Sequence, residues 1–206
     1  IDLEITKKFS SFVWMALVSA ICVPLSQMLI RAYLSREFGL AYAGYWEAMI
    51  RLSTVYLMLV TTILGVYYLP RLSELKMLDE IKKEIYLGYK FLFPLAVAGG
   101  IIVFVLRDWI INVLFSPSFA PMQSLFFWQM MGDALKIGSW ILAYLMLSKA
   151  MTKLYISTEI IFTVSLLVLT YVCTQVFGFE GVSIAYLVNY GMYWIVISLF
   201  IFKPLK

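Results

Sequence analysis

The stretch LFFWQMMGDALKIGSWILAYLMLSKA, Leu125–Ala150, decides the fold. From Leu125 to Ser148 its only charged residues are Asp133 and Lys136. A helix needs roughly 20 apolar residues to cross about 30 Å of hydrocarbon, and this run supplies them. At about 1.5 Å per residue, Asp133 lies about 16 Å into a span starting near position 122, close to the bilayer midplane. Ionisable side chains there cost about 2.5–3.5 kcal/mol each on insertion scales, and they face a bundle interior or a water-filled cavity. Gln129, Asp133, Lys136 and Trp140 follow one another at spacings of four, three and four, so they form one polar stripe ending in an aromatic.

Two readings of that stripe stand side by side. A neutralised pair is cheaper to bury than a lone charge, so Asp133 and Lys136 serve as a structural salt bridge between packed helices. Alternatively the stripe lines a wet passage and handles a solute or an ion.

The rest of the chain agrees with a lipid environment. Of 206 residues, 63% are hydrophobic and 14% charged, and the mean hydropathy is +0.92. Soluble domains carry about 45–50% apolar and about 25% charged residues. Cys22 and Cys173 sit inside apolar runs and give no disulfide or metal spacing. With no histidine in the chain, His-based triads and metal sites are ruled out, and no cofactor is expected. Ile1 is not a Met, and the first ten residues lack a signal-peptide pattern, so a segment of a longer protein is expected.

Six spans are expected, over about 9–31, 45–69, 88–106, 122–148, 154–177 and 181–202. The third is the shortest uncharged run, with Pro94 near its start. The net charge of +4 does not indicate nucleic acid, because the basic residues sort by side of the membrane. Lys7, Lys8, Arg71, Lys76, Lys82, Lys83, Lys90, Lys149, Lys153, Lys203 and Lys206 fall on one side; Arg31, Arg36 and Arg107 fall on the other. This asymmetry predicts an even number of spans with both termini in the cytoplasm. Between the second and third spans, Leu72, Leu75, Leu78, Ile81 and Ile85 recur among charges, predicting an amphipathic cytoplasmic surface segment over about 71–87. A solvated linker helix is the plainer reading of the same pattern. Ser116–Pro121 reads as a turn on the opposite side.

Other polar groups fall where lipid is expected. Glu47 and Arg51 are four apart in the second span, on a face continuing through Thr54, Met58, Thr61 and Gly65. Gln27 and Arg31 are four apart beyond the kink expected at Pro24, and Arg31 also suits a simple snorkelling role. Glu159 stands alone in the fifth span, with Thr163, Thr170 and Thr174 on its side. A polar interior with both charge signs suits a channel or transporter better than an anchor or scaffold.

At this point the sequence resembles a known family. YYLPRLSEL (Tyr67–Leu75), LRDWIINVLFSPSF (Leu106–Phe119), the WQ…GD.LK core within Leu125–Ala150, YISTEI (Tyr155–Ile160) and GFEGVSIAYLVNY (Gly178–Tyr190) are similar, in order and spacing, to the C-terminal half of Wzx-type flippases. These are the O-antigen and enterobacterial common antigen (lipid III) flippases, in the polysaccharide-transport family of the MOP exporter superfamily. The resemblance implies an all-α membrane protein, a six-transmembrane-helix bundle forming one lobe of a twelve-helix MOP-type transporter. It implies a non-enzymatic function: translocating undecaprenyl-pyrophosphate-linked oligosaccharide across the bacterial inner membrane by alternating access, coupled to an ion or proton gradient. Implied partners are the lipid-linked oligosaccharide, membrane lipids, the missing N-terminal lobe or a second half-transporter, and other polysaccharide assembly proteins.

The substrate-cavity candidates are Gln129, Asp133, Lys136, Trp140, Arg51, Arg31 and Gln27. For Gln129, Asp133 and Lys136 the physics and the family motif coincide. Arg51 and Arg31 rest on physics alone, since a planar guanidinium donates two hydrogen bonds to a phosphate. Asp133, Glu159 and Glu47 are the carboxylates expected to couple an ion. The competing functions are another MOP-type exporter, for lipid II or drugs, and a membrane-embedded polymerase or glycosyltransferase. The short loops oppose the latter.

Overall fold

The computed structural model describes residues 3–202, with side chains over 10–201. Its helices are α1 (Leu3–Glu37), α2 (Leu40–Ile63), α3 (Leu69–Glu74), α4 (Leu78–Val105), α5 (Arg107–Leu114), α6 (Gln123–Ser148), α7 (Thr152–Phe177) and α8 (Gly181–Phe202). Among the described residues, five segments are long and apolar enough to cross a membrane. The last of them, Thr152–Ile201, is 50 residues long, well beyond the bilayer, and consists of α7 and α8. Gly178 divides it with φ +63° and ψ −146°, a backbone conformation open to glycine and strained for other residues. The 3₁₀ turn Gly178–Glu180 then reverses the chain, and α8 packs back along α7. The result is an all-α, multi-pass membrane bundle of six long helices.

α6 is the centre of the bundle. In its apolar stretch 61% of residues are buried, against 28% or less in the other segments. It packs chiefly on α8 and α4, and also on α2, α3 and α7. Ile137, Ile141, Leu142 and Met146 are fully buried, in a cluster that includes Leu64, Leu72, Ile85 and Ile197 from four other segments. Nearer the other end, Leu125, Phe126 and Met122 join Leu34, Met49 and Ile111 in a second cluster.

The turn between α2 and α4 differs from the expected surface segment at 71–87. Pro70 has no N–H to offer the preceding turn. The helix widens there into the π-helical stretch Leu64–Tyr68, and the Leu69 N–H reaches back to the Leu64 carbonyl. α3 then runs only to Glu74, and Leu75 and Met77 are extended. From Leu78 the chain is already α4, a single helix of 28 residues. Ile81 and Ile85 turn into the protein core with Leu72 and Leu75, so four of the five residues that suggested a lipid surface are spent on packing and only Leu78 is exposed. Pro94 accordingly lies well inside α4, not in its first turn.

Two polar locks hold this end. Lys149 Nζ, just after α6, donates to the Leu72 carbonyl at 2.7 Å and to the Leu75 carbonyl, capping the end of α3. Arg71 bridges Glu74 at 3.7 Å and the buried Glu84 at 3.8 Å. Of the basic residues used to orient the chain, the side chains of Lys7 and Lys8, and all of Lys203 and Lys206, lie outside the described residues.

Candidate functional site

The long helices line a partly open cavity of about 380 Å³ between α1, α2, α6, α7 and α8. Four of the residues singled out from sequence line it: Gln27 from α1, Lys136 and Trp140 from α6, and Glu159 from α7. α8 adds Tyr186, Asn189, Tyr190 and Tyr193, a run at helical spacing that puts all four on one face.

Lys136 is held by aromatic faces instead of the expected salt bridge. Its ammonium lies 4.7 Å from the Trp140 ring centroid, 5.7 Å from Tyr190 and 5.9 Å from Tyr186. Such placements attract a cation through the ring quadrupole. Asp133, although three residues away on the same helix, does not come within ion-pairing distance. The anticipated bridge is replaced by two hydrogen bonds. The Tyr56 hydroxyl of α2 donates to Asp133 Oδ2 at 2.9 Å, and the Tyr186 hydroxyl of α8 donates to Oδ1 at 2.8 Å. Asp133 is fully buried and ties three helices together.

The other polar member of the stripe behaves alike. Gln129 is also fully buried; it donates to Ser53 of α2 at 3.4 Å and accepts from Ser183 of α8 at 3.2 Å. The stripe is thus divided, because α6 is enclosed along its length. Gln129 and Asp133 lie behind the cavity wall, while Lys136 and Trp140 line the space. Gly132 makes the division possible: a Cβ at that position would run into the Tyr186 ring, so only glycine lets α8 come close enough for Tyr186 to reach Asp133.

Arg31, Glu47 and Arg51 form a separate cluster. Arg51 Nε donates to Glu47 Oε1 at 3.1 Å, and Arg31 approaches the other carboxylate oxygen at 3.9 Å. None of the three lines the cavity, although Ile30 and Ile50, their chain neighbours, do. The guanidinium side chains are 53% and 77% exposed and share one carboxylate, leaving one net positive charge at the bundle surface.

The sequence reading did not single out the tyrosines or Asn189. The signal available was the spacing of Tyr186, Asn189, Tyr190 and Tyr193, but only packing brings that face beside Lys136. Among the described residues, no group of three or more Cys, Asp or Glu side chains is placed to hold a metal ion.

With this geometry in hand, comparison with known proteins gives two likenesses. The chain is 32% identical over 193 residues to the lipid III flippase of Escherichia coli (strain K12), and equally to that of Shigella flexneri. The matches cover 94% of this chain and 46% of each relative, so the chain spans about half the length of the curated relatives it matches. The Vibrio cholerae MATE transporter VcmN, in its bent form, superposes with a TM-score of 0.77 at 15% identity, over 97% of this chain and 47% of that one. This is a likeness of fold: the chain superposes on about half of that transporter. No family model matches it. Both likenesses are to half of a transporter, and neither relative bears the name of an enzyme. The six-helix bundle lines a partly open cavity and presents much apolar surface on α1, α2 and α7.

Proposed function

We propose that the chain is the C-terminal lobe of a flippase for undecaprenyl-pyrophosphate-linked oligosaccharide, an O-antigen or enterobacterial common antigen unit. The lobe works with an N-terminal lobe or a second half-transporter, moving the head group from the cytoplasmic to the periplasmic leaflet of the inner membrane by alternating access. The likeness to lipid III flippases supports the substrate class. The single structural observation that carries the reading is the cavity with Lys136 on one wall and Glu159 on another. A passage for a hydrophilic head group needs polar side chains inside the hydrocarbon depth, where they are otherwise costly.

Within this reading the candidate residues divide by role. Lys136, Trp140 and Gln27 face the head group. Arg31 and Arg51, with one carboxylate between them, are the candidate pyrophosphate contacts at the edge of the lobe. Glu159 is the ion-coupling carboxylate best supported, since Asp133 is enclosed by two tyrosine hydroxyls and Glu47 is held by two arginines. Both termini lie in the cytoplasm on the basic-residue asymmetry. An exporter of organic cations is the competing reading, and the ammonium of Lys136 in the cavity opposes it.

The test is surface-glycan display in a strain lacking its flippase, complemented with the full-length gene carrying Lys136→Met or Glu159→Gln. Loss of surface glycan at normal membrane abundance is expected. Wild-type display with both variants overturns the reading.

A further inference from the structure

We infer that the cavity within this lobe is a saccharide subsite that receives one sugar ring, seated on the aromatic wall between Asn189 and Lys136. The inference rests on the flippase reading and adds to it where in this half of the molecule the glycan is gripped. The first observation is an unmet acceptor. Asn189 is 4% exposed and lines the cavity, and its side-chain carbonyl oxygen has no hydrogen-bond partner. Buried polar groups are nearly always paired, so this oxygen calls for a donor from whatever fills the space.

The second observation is a donor in the same space. Lys136 brings its ammonium to three ring faces and no carboxylate, so its N–H groups remain available to an acceptor. A ligand answering both must donate at one point and accept at another, as a hydroxyl-bearing ring does. The walls supply the remaining requirement: Trp140, Tyr190 and Tyr193 bring aromatic rings to the lining, and aromatic side chains combine apolar area with a polar handle, as a sugar ring requires. The volume, about 380 Å³, lies at the lower end of small-ligand pockets, which run from about 300 to 1,000 Å³.

The charge pattern excludes the alternatives. An organic cation would meet the Lys136 ammonium. A pyrophosphate would meet the Glu159 carboxylate and a single ammonium, while two guanidiniums lie outside the cavity. A neutral polyhydroxylated ring suits one carboxylate, one ammonium and an amide.

The experiment uses full-length protein in nanodiscs with Thr163→Cys as a reporter in the cavity lining, in a background lacking Cys22 and Cys173. Maleimide labelling of the reporter is timed with N-acetylglucosamine, methyl β-glucopyranoside, inorganic pyrophosphate or tetraphenylphosphonium. A sugar at about four times its Kd is expected to slow labelling about five-fold. Pyrophosphate and tetraphenylphosphonium are expected to leave the rate unchanged, and Asn189→Leu is expected to abolish sugar protection. Should Asn189→Leu fail to fold, protection of the parent protein still decides the matter. Equal rates with and without sugar, protection by the ions alone, or no labelling in any condition overturn the subsite. If protection fails while Lys136→Met still abolishes export, the subsite falls and the flippase stands; if export survives both Lys136→Met and Glu159→Gln, the reading beneath it falls.

Discussion

The hydroxyl of Tyr186 reaches Asp133 Oδ1 at 2.8 Å while the same ring stands 5.9 Å from the ammonium of Lys136. One tyrosine therefore connects the enclosed carboxylate to the cavity. Asp133 governs the site by fixing the ring that helps hold Lys136, without lining the cavity itself.

Asp133→Ala leaves two tyrosine hydroxyls without an acceptor, and each unpaired buried group costs about 1–3 kcal/mol. Asp133→Asn keeps one side-chain acceptor oxygen and is expected to fall between Ala and the parent. Thermal unfolding in detergent should rank the three in that order, and equal midpoints would contradict the clamp.

Gly132→Ala places a methyl against the Tyr186 ring. Overpacking of this kind costs typically about 1–3 kcal/mol. Gly44→Ala is the matched control, because nothing lies within 4 Å of a Cβ there. The same melts should show the first variant destabilised and the second neutral or slightly improved, Ala being the better helix former.

Lys149→Met removes the cap on the Leu72 and Leu75 carbonyls. A charge-assisted hydrogen bond contributes about 1.5 kcal/mol or more, so amide exchange across 75–81 is expected to accelerate roughly ten-fold. Exchange in α7 should stay unchanged, which separates a local release from general loosening.

Gln129→Cys and Trp140→Cys test the division of the stripe. Trp140 lines the cavity and Gln129 is fully buried, so a water-soluble maleimide is expected to label the first and spare the second. Equal labelling would mean that α6 presents a single wet face.

How much of this was legible beforehand differs from helix to helix. The bundle was readable because an apolar run of about 20 residues has few other uses. The register at 71–87 was not, since Leu72, Ile81 and Ile85 repeat identically whether they meet lipid or Ile141 and Met146. The stripe on α6 was legible as a face, but periodicity treats a face as one environment. On a helix surrounded by five others, Gln129 and Asp133 meet α2 and α8, whereas from three residues further on Lys136 and Trp140 line the cavity. Two of the three rings around Lys136, Tyr186 and Tyr190, lie 50 or more positions away, beyond the reach of any local pattern.

The Tyr186–Asp133 bond spans 53 residues of chain. During synthesis α6 therefore enters the bilayer before the ribosome has made the helix that completes its partners, and Asp133 has only Tyr56 to meet. Assembly of the lobe thus finishes at α8: until that helix is made, the Asp133 carboxyl has one of its two tyrosine partners.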